Sequence, residues 1–354
     1  MQFLAFYQFG IVASFEATKY IEQAQLLTDA GSYSSYNFLF YSTEILLIAL
    51  CTKLNVNLGA VVLVQLVSNA LSLFFFYKLV YRLTGQSIFA FIITLFFLSM
   101  FYYHLYNVHL FTESLFFSFS IFFTYYLFTI QKLTLKTLSL LFLFLTTLIF
   151  TRPTGMFFFP ATIFFLIVRF GKKKFLPILF SIAGGLFLFY ILLNKALDSG
   201  GELDFLLPYI EEHVICGVPT IQKAHTIVMP VNKNSVEGLW YIIKNNDELF
   251  LRLAKQRFIA FWGMYRPFYS TIHNLFIVAY FFIIYFLILF GIRKMLSYNL
   301  PQAIFMLTYI SLVLLTVLLS CDEWHNRFMF SILPFLLLLG IGSFIKNTPE
   351  KNSI

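Results

Sequence analysis

The residues able to do chemistry in this chain are few and widely separated. Glu16, Lys19 and Tyr20 stand near the start, His104, His109 and Glu113 in the first third, Arg152 before a proline, and Arg266 and His273 further on. Asp322, Glu323, Trp324, His325, Asn326 and Arg327 form one run near the end. A carboxylate can take a proton from a hydroxyl, and a guanidinium offers phosphate oxygens a planar fork without changing its protonation. Arg152, deep in apolar sequence, suits a phosphate clamp. Each of these residues also has a plainer role. Glu16 suits the first turn of a helix, where an acid favours the N-terminal dipole. Glu113 suits the same place with Thr112 as cap, although it opens an otherwise uncharged apolar run. Arg152 suits a buried counter-ion for Glu113, and the run at 322–327 suits a polar turn. His104 and His109 are off the i,i+4 spacing of a helical metal pair and read as interfacial histidines.

The segments that hold these residues are apolar. Hydrophobic residues make up 60% of the 354 and charged residues 11%, with a mean hydropathy of +0.84. A soluble core cannot hide that much apolar surface, so the solvent is largely lipid. The 49 phenylalanines suit lipid-facing surfaces and helix seams and point to no ligand. The net charge of +8 comes from short basic clusters between apolar runs, the pattern of membrane topology and not of nucleic-acid binding. Cys51, Cys216 and Cys321 show neither CxxC nor metal-ligand spacing, which leaves a Cys216–Cys321 disulfide open. No HExxH, P-loop, GxGxxG or GxSxG motif supports a metalloprotease, NTPase, dinucleotide-binding or serine-hydrolase reading.

Apolar stretches of spanning length fall at 1–15, 57–81, 87–104, 110–131, 137–151, 154–170, 175–195, 273–292, 302–320 and 327–345. They predict an all-α polytopic membrane protein of about ten transmembrane helices. The first is short, lacks a basic n-region and a small-residue exit, and reads as a span, not a cleaved signal. Arg152–Pro153 predicts a break between two helices. With ten spans, Lys78 and Arg82, Lys132 and Lys136, Arg169 with Lys172, Lys173 and Lys174, Arg293 with Lys294, and Lys346 with Lys351 share one side. The positive-inside rule assigns that side, and both termini, to the cytoplasm. Making 137–170 a single span would put the last two clusters outside, so two spans are expected there. The opposite side holds two long segments. In 16–57, the apolar stretch 37–51 carries Glu44 and reads as a helix lying at the membrane surface. The segment 195–274, with Pro208, Pro219 and Pro230, reads as a small extramembrane lobe. No repeat or linker divides the chain, which reads as one domain over 1–354.

This arrangement resembles integral-membrane glycosyltransferases of the GT-C type, particularly the bacterial family 39-like proteins related to protein O-mannosyltransferases and to aminoarabinose transferases of lipid A. The likeness runs through most of the chain. In those families an acidic residue follows the first span in a pattern like D-x-x-x-Y-x-x-x-A, and here Glu16, Tyr20 and Ala24 hold those positions. Further matches are Thr112-Glu113-Ser114-Leu115-Phe116, Thr151-Arg152-Pro153-Thr154-Gly155, the stretch from Tyr265-Arg266-Pro267 to His273-Asn274, and His325-Asn326-Arg327-Phe328 with Pro334. Glutamate stands where aspartate is usual, and Ala17 occupies the place of a second acid, so divalent metal has no support.

The resemblance implies transfer of a sugar from a polyprenyl-phosphate carrier to a lipid, glycan or protein acceptor on the outer face of a bacterial inner membrane. Glu16 would be the base, Glu113 would assist or bind acceptor, and Arg152, Arg266 or Arg327 would hold phosphate. Lys19, Tyr20, His109, Asp322, Glu323, His325 and Asn326 are further candidates. No cofactor beyond the lipid-linked donor is expected. The competing expectations are a non-catalytic GT-C-like subunit of a membrane complex, or a lipid or solute transporter. A transporter would carry inverted repeats and ionisable residues at the bilayer midplane, whereas here the charges gather at helix ends.

Overall fold

The structure, a computed structural model, describes residues 2–198, 206–218, 227–229, 235–323 and 325–345. Pro219, Pro230, Trp324, Lys346 and Lys351 lie outside the described residues. Fifteen α-helices occur among those described: α1 Gln2–Phe9, α2 Glu16–Ala30, α3 Ser42–Lys53, α4 Gly59–Thr84, α5 Ser87–Leu98, α6 Phe101–Leu105, α7 Thr112–Thr129, α8 Leu135–Thr151, α9 Phe158–Asp198, α10 Leu207–Ile210, α11 Val236–Asn245, α12 Asp247–Gly263, α13 Thr271–Tyr298, α14 Leu300–Leu319 and α15 Arg327–Gly340. Strand pairing among the described residues is confined to isolated bridges.

Among the described residues, five helical stretches are long and apolar enough to cross a membrane: Gly59–Thr84, Pro153–Gly171, Thr271–Tyr298, Leu300–Leu319 and Arg327–Phe344. The pair Ser87–Leu98 and Phe101–Val108, bent by 68°, meets the same measure when taken together as one broken span. The chain is thus all-helical with several membrane-compatible helices. Four stretches differ from the expected spans; the one at 110–131 holds α7, whose 18 residues include Glu113 and are not among the helices apolar enough to cross. Helix α1 has 8 residues, well short of the ~20 a span needs. After it the backbone pairs instead with the turn before α7, through Val12 N–H to Val108 O and Leu110 N–H to Val12 O. Helix α8 has 17 residues. Residues 175–195 belong to the 41-residue α9, which runs without a turn through Arg169 and Lys172, Lys173 and Lys174. Lysine is a good helix former, so the basic run itself does not enforce a turn.

The chain divides into two compact units, 1–169 with 284–306 and 334–354, and 170–283 with 307–333. In the first, α4 is inside-out relative to a soluble helix. Gln65, Asn69 and Ser72 are buried on one stripe while Leu63, Val67, Leu71 and Phe74 are exposed. That inversion is what a lipid-facing helix requires, because buried polar groups find partners inside and apolar ones face hydrocarbon. Helix α7 packs on α4, and α2 packs on α3. Phe158 joins the deep phenylalanine seam, meeting Phe123 at 5.5 Å, Phe335 at 5.9 Å and Phe305 at 6.0 Å between ring centroids.

The expected break after α8 is present. Arg152 is extended, with φ −158° and ψ 144°, and a 3-10 turn, Pro153–Phe157, leads into α9. Gly155 permits it, since a Cβ there would lie 2.1 Å from the Leu148 carbonyl oxygen.

The second unit has its own core of Leu197, Leu206, Tyr209, Ile242, Leu249 and Leu253. Cys216 and Cys321 form a disulfide within it. The two strands of chain beside the disulfide form a parallel bridge, Ile215 with Asp322, in which Cys216 N–H donates to Asp322 O at 2.7 Å and Asp322 N–H to Val214 O at 2.9 Å.

Candidate functional site

In the first unit, α7 begins after Phe111, which takes the cap position, so Thr112 lies one residue inside and does not cap as expected. Glu113 falls in the first turn and is 1% exposed. Its carboxylate pairs with the guanidinium of Arg152, itself 7% exposed, at the joint between α8 and the 3-10 turn. The counter-ion role anticipated for Arg152 is therefore filled. Ser114 Oγ donates to Asn107 Oδ1 at 2.6 Å, which ties the start of α7 to the preceding turn.

Glu16 opens α2 directly after Phe15, whose φ of 59° is uncommon for a bulky residue. Such a backbone costs on the order of 1–3 kcal/mol and persists where the surroundings enforce it. Glu16 lies 3.7 Å from Lys19 one turn on, and both side chains are partly exposed. The ammonium of Lys19 also lies 4.9 Å from the ring centroid of Tyr20 and 5.6 Å from that of Tyr41, and these rings are 5.5 Å apart.

Tyr20 links the partly exposed residues to the buried pair. Its side chain is buried, and burial foremost, followed by Tyr41, Glu16 and Glu113, pushes the phenol well above its ordinary value while Arg152 pulls the other way. Glu16, Glu113 and Arg152, distant in sequence, are thus all in electrostatic reach of one hydroxyl, which stays a neutral donor. His109 is part-buried, with Nδ1 2.9 Å from the Leu105 carbonyl oxygen. His104 is buried deeper, with Nδ1 3.0 Å from Asn69 Oδ1.

Arg266, Asp322, Glu323, His325, Asn326 and Arg327 belong to the second unit. Arg266 is fully buried, pairs with Asp322, and donates to the carbonyl oxygens of Ala260 at 3.0 Å, Tyr265 at 3.3 Å and Glu323 at 3.3 Å. Asn274 closes around its backbone, accepting from Arg266 N–H at 2.9 Å and donating to Arg266 O at 2.8 Å. Burial pushes Asp322 up to about 6 against the pull of Arg266. Asn326 and Arg327 are buried, and His325 is exposed. His273 stacks on Tyr269 with centroids 3.9 Å apart.

Two further residues escaped the sequence reading. Glu44 on α3 is fully buried and accepts from Gln65 Nε2 at 3.0 Å. The polar stripe Gln65, Asn69 and Ser72 inside an apolar span was the signal that something polar lay opposite. Arg257 is fully buried in the second unit, donating to the carbonyl oxygens of His213 at 2.9 Å, Leu318 at 3.1 Å and Pro208 at 3.2 Å. Its place on the stripe Leu249, Leu253, Arg257 and Phe261 of α12 was legible as helical spacing.

A cavity of about 350 Å³ lies at the far end of α7 from Glu113, lined by Tyr126, Thr129, Ile130, Gln131, Lys132, Thr134 and Thr137. Among the described residues no group of three or more His, Cys, Asp or Glu side chains is arranged to hold a metal ion.

No protein-family model, curated protein or solved structure matches the chain.

Proposed function

We propose that this protein is a glycosyltransferase that moves a sugar from a polyprenyl-phosphate carrier to a lipid, glycan or protein acceptor at the outer face of a bacterial inner membrane. The observation that carries this reading is the buried Glu113–Arg152 pair of the first unit, with Tyr20 in electrostatic reach of that pair and of Glu16. A partly exposed carboxylate, a neutral hydroxyl donor, a buried carboxylate and a guanidinium are the groups that such a transfer needs. Glu16 takes the proton of the acceptor hydroxyl. Arg152 exchanges Glu113 for the departing phosphate and stabilises its growing charge. Glu113 holds Arg152 until then, and Lys19 adds a cation beside Glu16.

The disulfide also supports the reading. Disulfides persist in oxidising compartments, which agrees with an outer placement of Cys216 and Cys321. The topology in this proposal has about ten spans and cytoplasmic termini. It requires the chain to reverse beside Lys172, Lys173 and Lys174, within the range of α9; Gly171 and Pro177 flank the place.

A second reading, a non-catalytic GT-C-like subunit, is favoured by one observation: Glu113 and Arg152 are closed on each other. Activity of variants separates the two. Glu16→Gln, Glu113→Gln and Arg152→Ala each abolish transfer from a polyprenyl-phosphate sugar in reconstituted membranes, with an unchanged elution profile on gel filtration. Wild-type turnover by all three variants refutes the enzyme.

A further inference from the structure

Glu44 has no part in the chemistry above, yet its setting is unusual for an acid. It lies on the inward side of α3, fully buried, while Leu46 and Leu50 on the same helix are exposed. One carboxyl oxygen accepts from Gln65 Nε2 at 3.0 Å, and the same nitrogen lies 3.3 Å from the Phe111 carbonyl oxygen. The other carboxyl oxygen and Gln65 Oε1 have no hydrogen-bond partner among the described residues. Phe111 is the cap residue of α7, two residues before Glu113. Gln65 therefore bridges Glu44 to the end of the helix that carries the buried ion pair.

An ionised carboxylate in this place would be costly, since burying a charge without a cation is far less favourable than burying the neutral acid. The elements packed on α3 are α2, the 3-10 turn Tyr36–Tyr41, α4, α7 and α8. They bring the phenols of Tyr20 and Tyr41, the neutral Gln65, Glu113, and, just past α8, Arg152. Burial first, and then the charge of Glu113, push Glu44 up to about 8 against the Gln65 hydrogen bond. Glu44 is thus a protonated acid at neutral pH, and it and Glu113 act on each other through space.

We propose that Glu44 is a positioning residue for the Glu113–Arg152 pair: neutral, it adds no charge near Glu113 and leaves an anionic phosphodiester free to replace Glu113 on Arg152; ionised, it places a second negative charge near Glu113 and repels that ligand. The phosphodiester rests on the proposed function, whereas the link between Glu44 and the pair does not. Ionisation releases one proton to solvent and leaves a second negative charge beside the pair. The coupling is reciprocal, so whatever removes the charge of Glu113 makes Glu44 easier to ionise.

The test has two arms on the purified full-length protein in detergent. In the first, the infrared carbonyl band of the protonated acid is followed from pH 6 to pH 10. A band that Glu44→Gln removes, with a midpoint near pH 8 that moves to lower pH in Glu113→Gln, is the expected result. Glu44→Asp, which keeps the carboxyl, retains a titrating band and serves as the control should Glu113→Gln not fold. In the second arm, binding of dioctyl phosphate, a phosphodiester whose own charge is constant over this range, is measured at pH 7 and pH 9. Wild-type affinity falls roughly tenfold, within the usual span of coupling between sites, and that of Glu44→Gln stays level. Absence of a Glu44-dependent titration, a midpoint indifferent to Glu113→Gln, or equal pH dependence of binding in wild type and Glu44→Gln overturns the inference. If the diester binds at no pH while the first arm gives its expected result, the link from Glu44 to the pair is supported and the phosphodiester reading of the site is overturned.

Discussion

Arg152 with Glu113 and Arg266 with Asp322 are both buried arginine–carboxylate pairs, one in each unit, but their surroundings differ. Arg266 is fixed from several directions. Three backbone carbonyls share its guanidinium, Asn274 grips its backbone, and a disulfide ends at the residue before Asp322. Arg152 sits instead at an extended joint between two helices, with a neutral acid, a neutral phenol and a partly exposed acid and lysine nearby. A guanidinium held by several backbone carbonyls ties a fold together. One placed at a joint among titratable side chains is suited to exchanging its partner. The same residue pair therefore marks a clamp in the second unit and a candidate reaction site in the first.

The comparison breaks most visibly if both partners of each pair are replaced. Removing one partner of a buried pair leaves a costly lone charge, whereas replacing both with residues of similar volume is often neutral. For the first pair, Glu113→Gln with Arg152→Met leaves the thermal midpoint in detergent close to wild type. For the second, Asp322→Asn with Arg266→Met also removes a donor from the carbonyls of Ala260, Tyr265 and Glu323; Ala260 keeps Met264 N–H and Glu323 keeps Asn326 N–H, so Tyr265 bears the main loss, at about 1–3 kcal/mol. That double variant should lose about 1–3 kcal/mol or more, read as a drop in midpoint or in yield of folded protein. Equal midpoints for the two double variants erase the distinction.

How far the sequence revealed this depends on the residue. The helical, lipid-solvated character was plain in the apolar runs, and the break at Arg152 followed from Pro153. Glu113 and Arg152 stood out because each is a lone charge in apolar sequence, and their pairing was one of the readings considered. Glu44 and Arg257 were passed over because their burial depends on which face of α3 and α12 turns inward, a matter of tertiary packing. Arg266 was expected to hold phosphate, and only the backbone carbonyls around it show how fully it is engaged. The length of α9 was hidden by lysines that suit a loop and a helix equally well. The Cys216–Cys321 disulfide was open and undecided, since spacing in sequence carries no information about proximity in the fold.

The disulfide sharpens the clamp reading. Closing a sequence separation of 105 residues, it restricts the unfolded chain, and its loss in Cys216→Ser with Cys321→Ser costs about 2–5 kcal/mol. The effect is read as a lowered midpoint in nonreducing conditions, and dithiothreitol lowers the wild-type midpoint to match. An unchanged midpoint removes the disulfide from the clamp. The smallest expected change is at the edge of the first unit. Lys19→Ala removes the cation above Tyr20 and Tyr41, worth about 0.5–1 kcal/mol at a partly exposed site. Stability then shifts slightly, while turnover, if Lys19 steers the phosphate, falls far more than stability does.

The most direct measurement of the central claim is photocrosslinking with a polyprenyl phosphate that carries a diazirine near its phosphate, followed by peptide mapping. The account predicts labelled peptides from the first unit around Glu16, Tyr20, Glu113 and Arg152, with labelling lost in Arg152→Ala. Labelling confined to peptides around Arg266 and Asp322, or labelling of the first unit that persists in Arg152→Ala, would contradict it.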